Sequence, residues 1–424
     1  MKFHLNTKLG VKIMNPFIPK VRFLVTSDIH YQDEHTIQRD YFEKALGLAY
    51  EYAENSHQYQ KLDALFVVGD LANTGTEKEM QAFCDSLQKC IKPETDITLS
   101  IAKHEYNSEG EEAAHEKFAR IFKMKPDVHK VINDFHFISL STTNGDHFDD
   151  AKRAFALEAL EKARTDKPKQ PIFFFQHPHV RDTVYGSLAW ANDDLTAVQM
   201  NYPQIINFSG HSHAPINDPR NIHQRHFTTV GTGTMFYFEL DEFDKIYGTI
   251  PPPLPPYTYY REGAAQMHIV EADEKGVVRI LPYDVITEQF FPNSWTIETA
   301  WDPSSFIYTD ERYLNASKPY FTTSEKIEIL ETTSDSVTFT FDQARIDKER
   351  INSYDITITS ADDHQVVRKI SIWSGYYYMD MPKKLTETID RLENNREYIL
   401  SINANSFWKT TSELPLTTNF KTRD

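Results

Sequence analysis

From about residue 20 the chain alternates short apolar runs with amphipathic stretches. The runs are VRFLV (21–25), ALFVV (64–68), ITLSI (97–101), FHFISL (135–140), PIFFF (171–175) and QIINF (204–208). Each has strand length and is rich in β-branched or aromatic residues. Between them, TIQRDYFEKALGLAYEYAE (36–54) and AFALEALEKAR (154–164) read as helices. Apolar strands alternating with helices predict an α/β core in which sheet and helices form layers.

After residue 230 the pattern changes. TTVGTGTMFYFEL and QMHIVEADEKGVVRILPYDV predict antiparallel strands, the second segment a hairpin turning near Asp273–Gly276. Between them PPPLPPY (251–257) excludes a helix or a central strand and predicts a stiff surface loop. From about residue 320 helical periodicity disappears. Seven short strands follow, KIEILET, SVTFTF, SYDITIT, VVRKISIW, LTETID, EYILSINA and LTTNFKT, which predict a small β-sandwich with Ile327, Val337, Phe339, Tyr398 and Ile402 in its core. The expected division is an N-terminal segment at 1–19, a first domain at 20–290, a linker at 291–319 and a second domain at 320–424.

Composition adjusts this picture only in part. A chain of 424 residues accommodates two domains, and 40% apolar with 25% charged residues is ordinary for a globular core. The formal charge of −17 argues against binding a nucleic-acid polymer or anionic lipid. An anionic substrate therefore needs a local positive source, such as a bound metal. Cys84 and Cys90 lie six apart on a helical stretch, about 9 Å along the axis, beyond disulfide reach. No apolar stretch approaches the length of a membrane span, and the first twenty residues lack the apolar core of a signal peptide. The default expectation is cytoplasmic, although a mature exported protein would read the same.

Candidate chemistry sits where the apolar runs end. VRFLV leads into Asp28 and His30, ALFVV into Asp70, and ITLSI into Lys103, His104 and Glu105. PIFFF leads into His177 and His179, and QIINF into His211 and His213. Strand C-terminal ends are where open α/β sheets build their sites. In D-x-H and H-x-H both side chains lie on one side of an extended chain and reach one metal. Imidazole with carboxylate suits Zn, Fe or Mn. Each piece alone is commonplace; five in succession at strand ends are not. His179, His115, His129, His136, His223 and His226 are read as ordinary histidines. Arg181, Tyr185 and Trp190, in HPHVRDTVYGSLAW (177–190), are candidates to grip a phosphate and stack a base.

In order, DIH (28–30), GD (69–70), AKHE (102–105), His177 and GHSH (210–213) resemble the motifs of the calcineurin-like metallophosphoesterases, D-x-H, G-D, G-N-H-[DE], H and G-H-x-H. Four of the five match fully, over roughly residues 20–290. The resemblance implies a four-layer α/β/β/α sandwich of two mixed sheets with helices outside. It implies a first metal held by Asp28, His30 and His213, a second by His177 and His211, and Asp70 bridging both. One or two divalent transition metals (Mn, Fe or Zn) would act, with a metal-bound hydroxide as nucleophile. His104 would serve the leaving oxygen, and Glu105 would orient its ring.

The family carries asparagine where Lys103 stands, and an ammonium offers no lone pair to a metal. Three readings stay open. The ammonium partly replaces the second metal, or the lysine swings away, or the protein binds phosphates without turning them over. The leading expectation is a phosphohydrolase, more specifically a phosphodiesterase, acting on a small phosphate ester. The competing one is a phosphate-ligand or protein-binding module on an impaired scaffold. LENNREYILSINANSFWKTTS resembles the end of a type III fibronectin domain, an immunoglobulin-like sandwich, with Tyr398 as its corner tyrosine, Leu392 as core leucine and Phe341 where a tryptophan is common. Such a domain implies contacts with a protein partner rather than chemistry.

Overall fold

The computed structural model describes residues 17–240, 257–260 and 264–424; most of the N-terminal segment, and residues 251–256 of the proline-rich run, lie outside them. The first part runs β1 (Pro19–Thr26), α1 (Ile37–Glu54), β2 (Ala64–Val68), α2 (Glu77–Cys90), β3 (Asp96–Ser100), α3 (Glu111–Phe122), β4 (Val128–Ile132), β5 (Phe135–Leu140), α4 (Asp150–Asp166), β6 (Ile172–Gln176), α5 (Thr196–Gln199) and β7 (Ile205–Ser209). It continues through β8 (Ile222–Gln224), β9 (Thr228–Gly231), β10 (Tyr237–Leu240), β11 (Tyr257–Tyr260), β12 (Gln266–Asp273), β13 (Val278–Asp284), β14 (Gln289–Phe290) and β15 (Trp295–Ile297).

Two mixed sheets result. One has the order β14-β13-β12-β1-β2-β3 with β15 added against β13; the other has the order β4-β5-β6-β7-β9-β8. The two-residue period of the strands sorts side chains into layers. Phe23, Phe66 and Val68 point between the sheets, where they meet Phe137, Phe173, Phe175 and Phe208. Leu24, Leu65 and Val67 point the other way, onto α1, α2 and α3. On the second sheet, Ile172 and Phe174 face α4. The expected order helix, sheet, sheet, helix follows directly. The interlayer is strongly aromatic: Phe66 stacks on Phe175 at 4.1 Å between centroids, and Phe23 meets Phe173 edge-on at 4.9 Å. Such pairs contribute about 0.5–1.5 kcal/mol each beyond their area.

Two expectations need correction here. TTVGTGTMFYFEL is not one strand: β9 pairs antiparallel with β8 but in parallel with β7, and Gly233 (φ 74°) turns the chain before β10, which pairs antiparallel with β11. The region 291–319 is not a free linker. Trp295–Ile297 extends the first sheet, and Arg312 donates to the carbonyls of Pro219 (2.6 Å) and Ile222 (2.7 Å). Aromatic side chains and a half-buried arginine fork hold this segment down, and apolar periodicity does not report either.

Beyond it, β16 (Ile327–Thr332), β17 (Val337–Asp342), β18 (Ser353–Ser360), β19 (Val366–Trp373), β20 (Lys384–Ile389), β21 (Glu397–Asn405) and β22 (Leu416–Lys421) form two facing sheets, β16-β17-β20 and β19-β18-β21-β22. Val337, Phe339, Tyr354, Tyr398 and Ile402 fill the core between them, and Ile327 packs on it half-buried. The Tyr398 hydroxyl accepts from Glu393 N at 2.9 Å.

This sandwich docks on the first domain through a buried polar latch. Tyr376 donates its hydroxyl to Asp218 Oδ2 (2.9 Å), which also pairs with Arg220 (2.6 Å), while Asn217 donates to the Tyr376 carbonyl (2.8 Å). Tyr185, Ala214, Phe238 and Phe407 surround these groups. Tyr376→Phe should lower the unfolding free energy by about 1–2 kcal/mol, the usual cost of removing one partner of a buried hydrogen bond. Urea unfolding checks this, and an unchanged midpoint would show that the latch carries no stability.

Candidate metal centre

The strand ends β1, β2, β3, β6 and β7 deliver their polar residues to one place, between the two sheets at their C-terminal edge. The loops reach it through unusual backbone conformations. Among the described residues fifteen non-glycines adopt positive φ, and five of them are Asp28, His30, Asp70, His211 and His213. Left-handed backbone is costly for such residues and persists where the surroundings enforce it, typically at functional sites. The preceding glycines have a separate role. At Gly69 a Cβ would lie 2.7 Å from both Ala102 Cβ and His177 Nδ1; at Gly210 it would run into Ser27 and Asp28.

Among the described residues three groups of donors form; two are fully buried, and the third, His30, Asp70 and half-buried His104, overlaps both. In the first, His30 Nε2 stands 3.2 Å from His213 Nε2, and His213 Nε2 stands 3.3 Å from Asp28 Oδ1. In the second, His177 Nε2 lies 3.1 Å from Asp70 Oδ2 and 3.8 Å from Asp28 Oδ1, and the His211 ring is 4.8 Å from that of His177. Donor atoms of Asp28, His30 and His213, and of Asp70, His177 and His211, lie mutually within 4.8 Å, and all six residues are buried.

The far sides of the rings are anchored. His177 Nδ1 bonds the Val68 carbonyl (2.7 Å) and His213 Nδ1 the Tyr237 carbonyl (3.0 Å). These bonds set the tautomer and leave each Nε2 facing inward, as in metal-bound histidines. Phe236 stacks on His30 at 4.7 Å. His177 Nε2 is buried and has no aligned hydrogen-bond partner. Two facing imidazole nitrogens, an unpartnered third and two buried carboxylates fit one or two divalent cations.

Electrostatics points the same way. Burial alone would raise Asp28 and Asp70, but His177 beside both, helped by His213 at Asp28, holds them well below the ordinary carboxylate range. Burial and the neighbouring His213 pull His30 down to about 3. Burial also opposes charge on His177, yet Asp70 and then Asp28 outweigh it and push its pKa up to about 10.

Other expected site residues take different places. His104 is half-buried, its Nδ1 2.5 Å from the Asn73 carbonyl and its Nε2 3.9 Å from Asp70 Oδ2. Glu105 does not touch that ring. Its carboxylate accepts from the backbone nitrogens of Ala102 (2.8 Å), Ala72 (2.9 Å) and Asp70 (3.2 Å), so it ties the two ligand loops together. Arg181 is committed within its own loop, to Asp193 (2.8 Å) and to the carbonyls of Leu188 and Ala191, and Tyr185 belongs to the domain latch. Trp190 does reach the site, 4.9 Å from the His211 ring. Lys103 is exposed, with Nζ 5.8 Å from the Trp190 centroid.

His179, read as ordinary, is fully buried with one ring nitrogen 2.7 Å from Ser209 Oγ and the other 2.7 Å from Ser212 Oγ. It braces the turn that carries His211 and His213. Asp146, which sequence reasoning missed, stands 3.4 Å from His211 Nε2. It follows no apolar strand directly, so no strand-end signal marked it.

Residues 21–215 match the family model described as calcineurin-like phosphoesterase, so this stretch is a calcineurin-like phosphoesterase domain. Among solved structures, purple acid phosphatase PPD1 from yellow lupin (Lupinus luteus) seeds is similar at 14% identity and a TM-score of 0.44, over 66% of this chain and 55% of that one. A structure described as a myokine is similar at 19% identity and a TM-score of 0.19, over 26% of this chain and 99% of that one. A search among curated proteins found no match.

The raised His177 gives a pH prediction. A protonated imidazole has no lone pair for a cation, so binding beside His177 must release its proton. Affinity at that position should fall by about tenfold for each pH unit of acidification between about pH 8 and 6. Calorimetric titration in buffers of different ionisation enthalpy reads the proton release. A pH-independent affinity with no proton released would contradict it.

Proposed function

We propose that the protein is a metal-dependent phosphohydrolase acting on a small phosphodiester. The observation that carries this reading is the convergence of six buried donors, five of the site residues on left-handed backbone, inside a calcineurin-like phosphoesterase domain. Asp28, His30 and His213 would hold one divalent cation, Asp70, His177 and His211 a second, with Asp70 near enough to serve both. Bound cations supply Lewis acidity toward a phosphoryl oxygen and acidify water for attack.

The chain's own groups divide the remaining work. His104 spends Nδ1 on the Asn73 carbonyl, which leaves Nε2 to hold and deliver a proton to the departing oxygen. Glu105 keeps Asp70 and His104 in register through the backbone rather than through the imidazole. Lys103, over Trp190 at the exposed rim, presents its ammonium to a phosphate rather than to the buried donors. The second metal position thereby loses the family's asparagine oxygen. Seven strands in sheets of three and four, with Tyr398 bonded back to Glu393, support reading residues 320–424 as a fibronectin type III-like domain. The net charge of −17 leaves a polymer of nucleic acid outside the proposed substrates.

Hydrolysis of bis(p-nitrophenyl) phosphate by the full chain with Mn or Zn added tests the reading. Asp70→Asn should abolish turnover. An inert wild-type protein that still binds phosphate esters would favour a binding module instead. Two variants then separate roles. His104→Ala should lower kcat by about a hundredfold or more with cation binding unchanged. Lys103→Met should raise KM several-fold with cation stoichiometry unchanged; equal loss in kcat and none in KM would assign Lys103 elsewhere.

A further inference from the structure

The loop after β5 folds back on itself. Thr143 N donates to the His147 carbonyl (2.7 Å) and His147 N to the Asn144 carbonyl (3.1 Å), with Gly145 left-handed at φ 58°. His147 fastens this turn to the loop that carries Trp190: its Nδ1 lies 3.2 Å from the Asn192 amide nitrogen and 3.5 Å from Asp194. With His147 turned outward, Asp146 faces the site. Its Oδ1 is buried and lacks a hydrogen-bond partner, yet stands 3.4 Å from His211 Nε2. Donors sharing one cation at bonds of about 2.1 Å sit about 3.0–3.4 Å apart. Burial raises the Asp146 carboxyl, but His211, then His177 and Lys103, outweigh it and hold it below the ordinary value.

We propose that Asp146 is an oxygen ligand of the second cation, joining Asp70, His177 and His211 in place of the side-chain oxygen that Lys103 cannot offer. The assignment rests on the cation reading given under Proposed function. It reaches the site from the His211 side only: among the described residues Asp146 belongs to none of the groups of three donors lying within 4.8 Å of one another, so ligation requires its carboxylate to turn toward His177 and Asp70. It also balances charge. A lysine in place of asparagine adds one positive charge beside the second position, and a carboxylate ligand adds one negative charge. The site's net charge is then that of a neutral amide ligand, without an ammonium that repels the cation uncompensated.

The test uses the full chain, stripped with chelator and titrated with Mn2+ by calorimetry and with Co2+ by visible absorption. Wild type should bind two ions. Asp146→Ala should weaken the weaker site at least tenfold and leave the tighter one unchanged, which also reports that the variant is folded. The double variant Lys103→Asn with Asp146→Ala should return the weaker site to within about threefold of wild type, because it restores a neutral oxygen at position 103. Rescue of this kind follows from a ligand role and not from a merely structural one, so it decides the matter even if Asp146→Ala loses both sites. Asp146→Ala with both affinities and the Co2+ spectrum unchanged would overturn the assignment alone. A wild-type protein binding one ion would overturn it too and leave the first position standing. A wild-type protein binding none would overturn the cation reading itself.

Discussion

The structure depends on keeping two carboxylates and four imidazoles together out of water. Removing an ion from water costs several kcal/mol even after relaxation, and opposite charges repay it only in good geometry. The loops answer that demand. Asp28, His30, Asp70, His211 and His213 accept left-handed backbone to reach one point, and Gly69 and Gly210 clear the way for the neighbouring chain. The energy comes from the layers beneath, where Phe23, Phe66, Phe137, Phe173, Phe175 and Phe208 close the gap between the sheets.

The main chain serves as much of the site as the side chains do. His177 leaves the second sheet and bonds Val68 on the first, so the imidazole links the two layers at the point where both end. Glu105 gathers three backbone N–H groups from the loops after β2 and β3. The Asn73 and Tyr237 carbonyls fix the rings of His104 and His213. A change in any of these loops is therefore transmitted to a ligand through a hydrogen bond rather than through bulk packing. His179, with both nitrogens on serine hydroxyls of the last ligand turn, extends the same arrangement one residue further from the centre.

Much of this was legible in the chain. The strands showed because their buried faces alternate with period two, and the convergent donor residues showed because each follows an apolar run directly. What escaped was long-range or carried by the main chain. Glu105 bonds backbone N–H groups, which leave no mark in a side-chain pattern. Arg181 pairs with Asp193, twelve residues on in its own loop, a contact that no periodicity reports. Asp146 sits in a polar turn with no periodicity to flag it. The region from 291 to 319 reads as a linker because buried Trp295 and half-buried Arg312 hold it through individual contacts rather than through a repeated apolar face.

The aromatic interlayer sets a gradient of rigidity across the molecule. The strands that line it are enclosed on both faces and paired along both edges, an arrangement that ties amide exchange to the opening of the whole slab. The ligands ride on the loops just beyond, outside that protected slab. The molecule has a stiff floor and a softer rim. A shift of the rim by a fraction of an ångström changes the spacing of donor atoms without disturbing any strand. Differences in cation preference among chains built on this floor would then be written in the loops, while their amide-exchange patterns stayed alike.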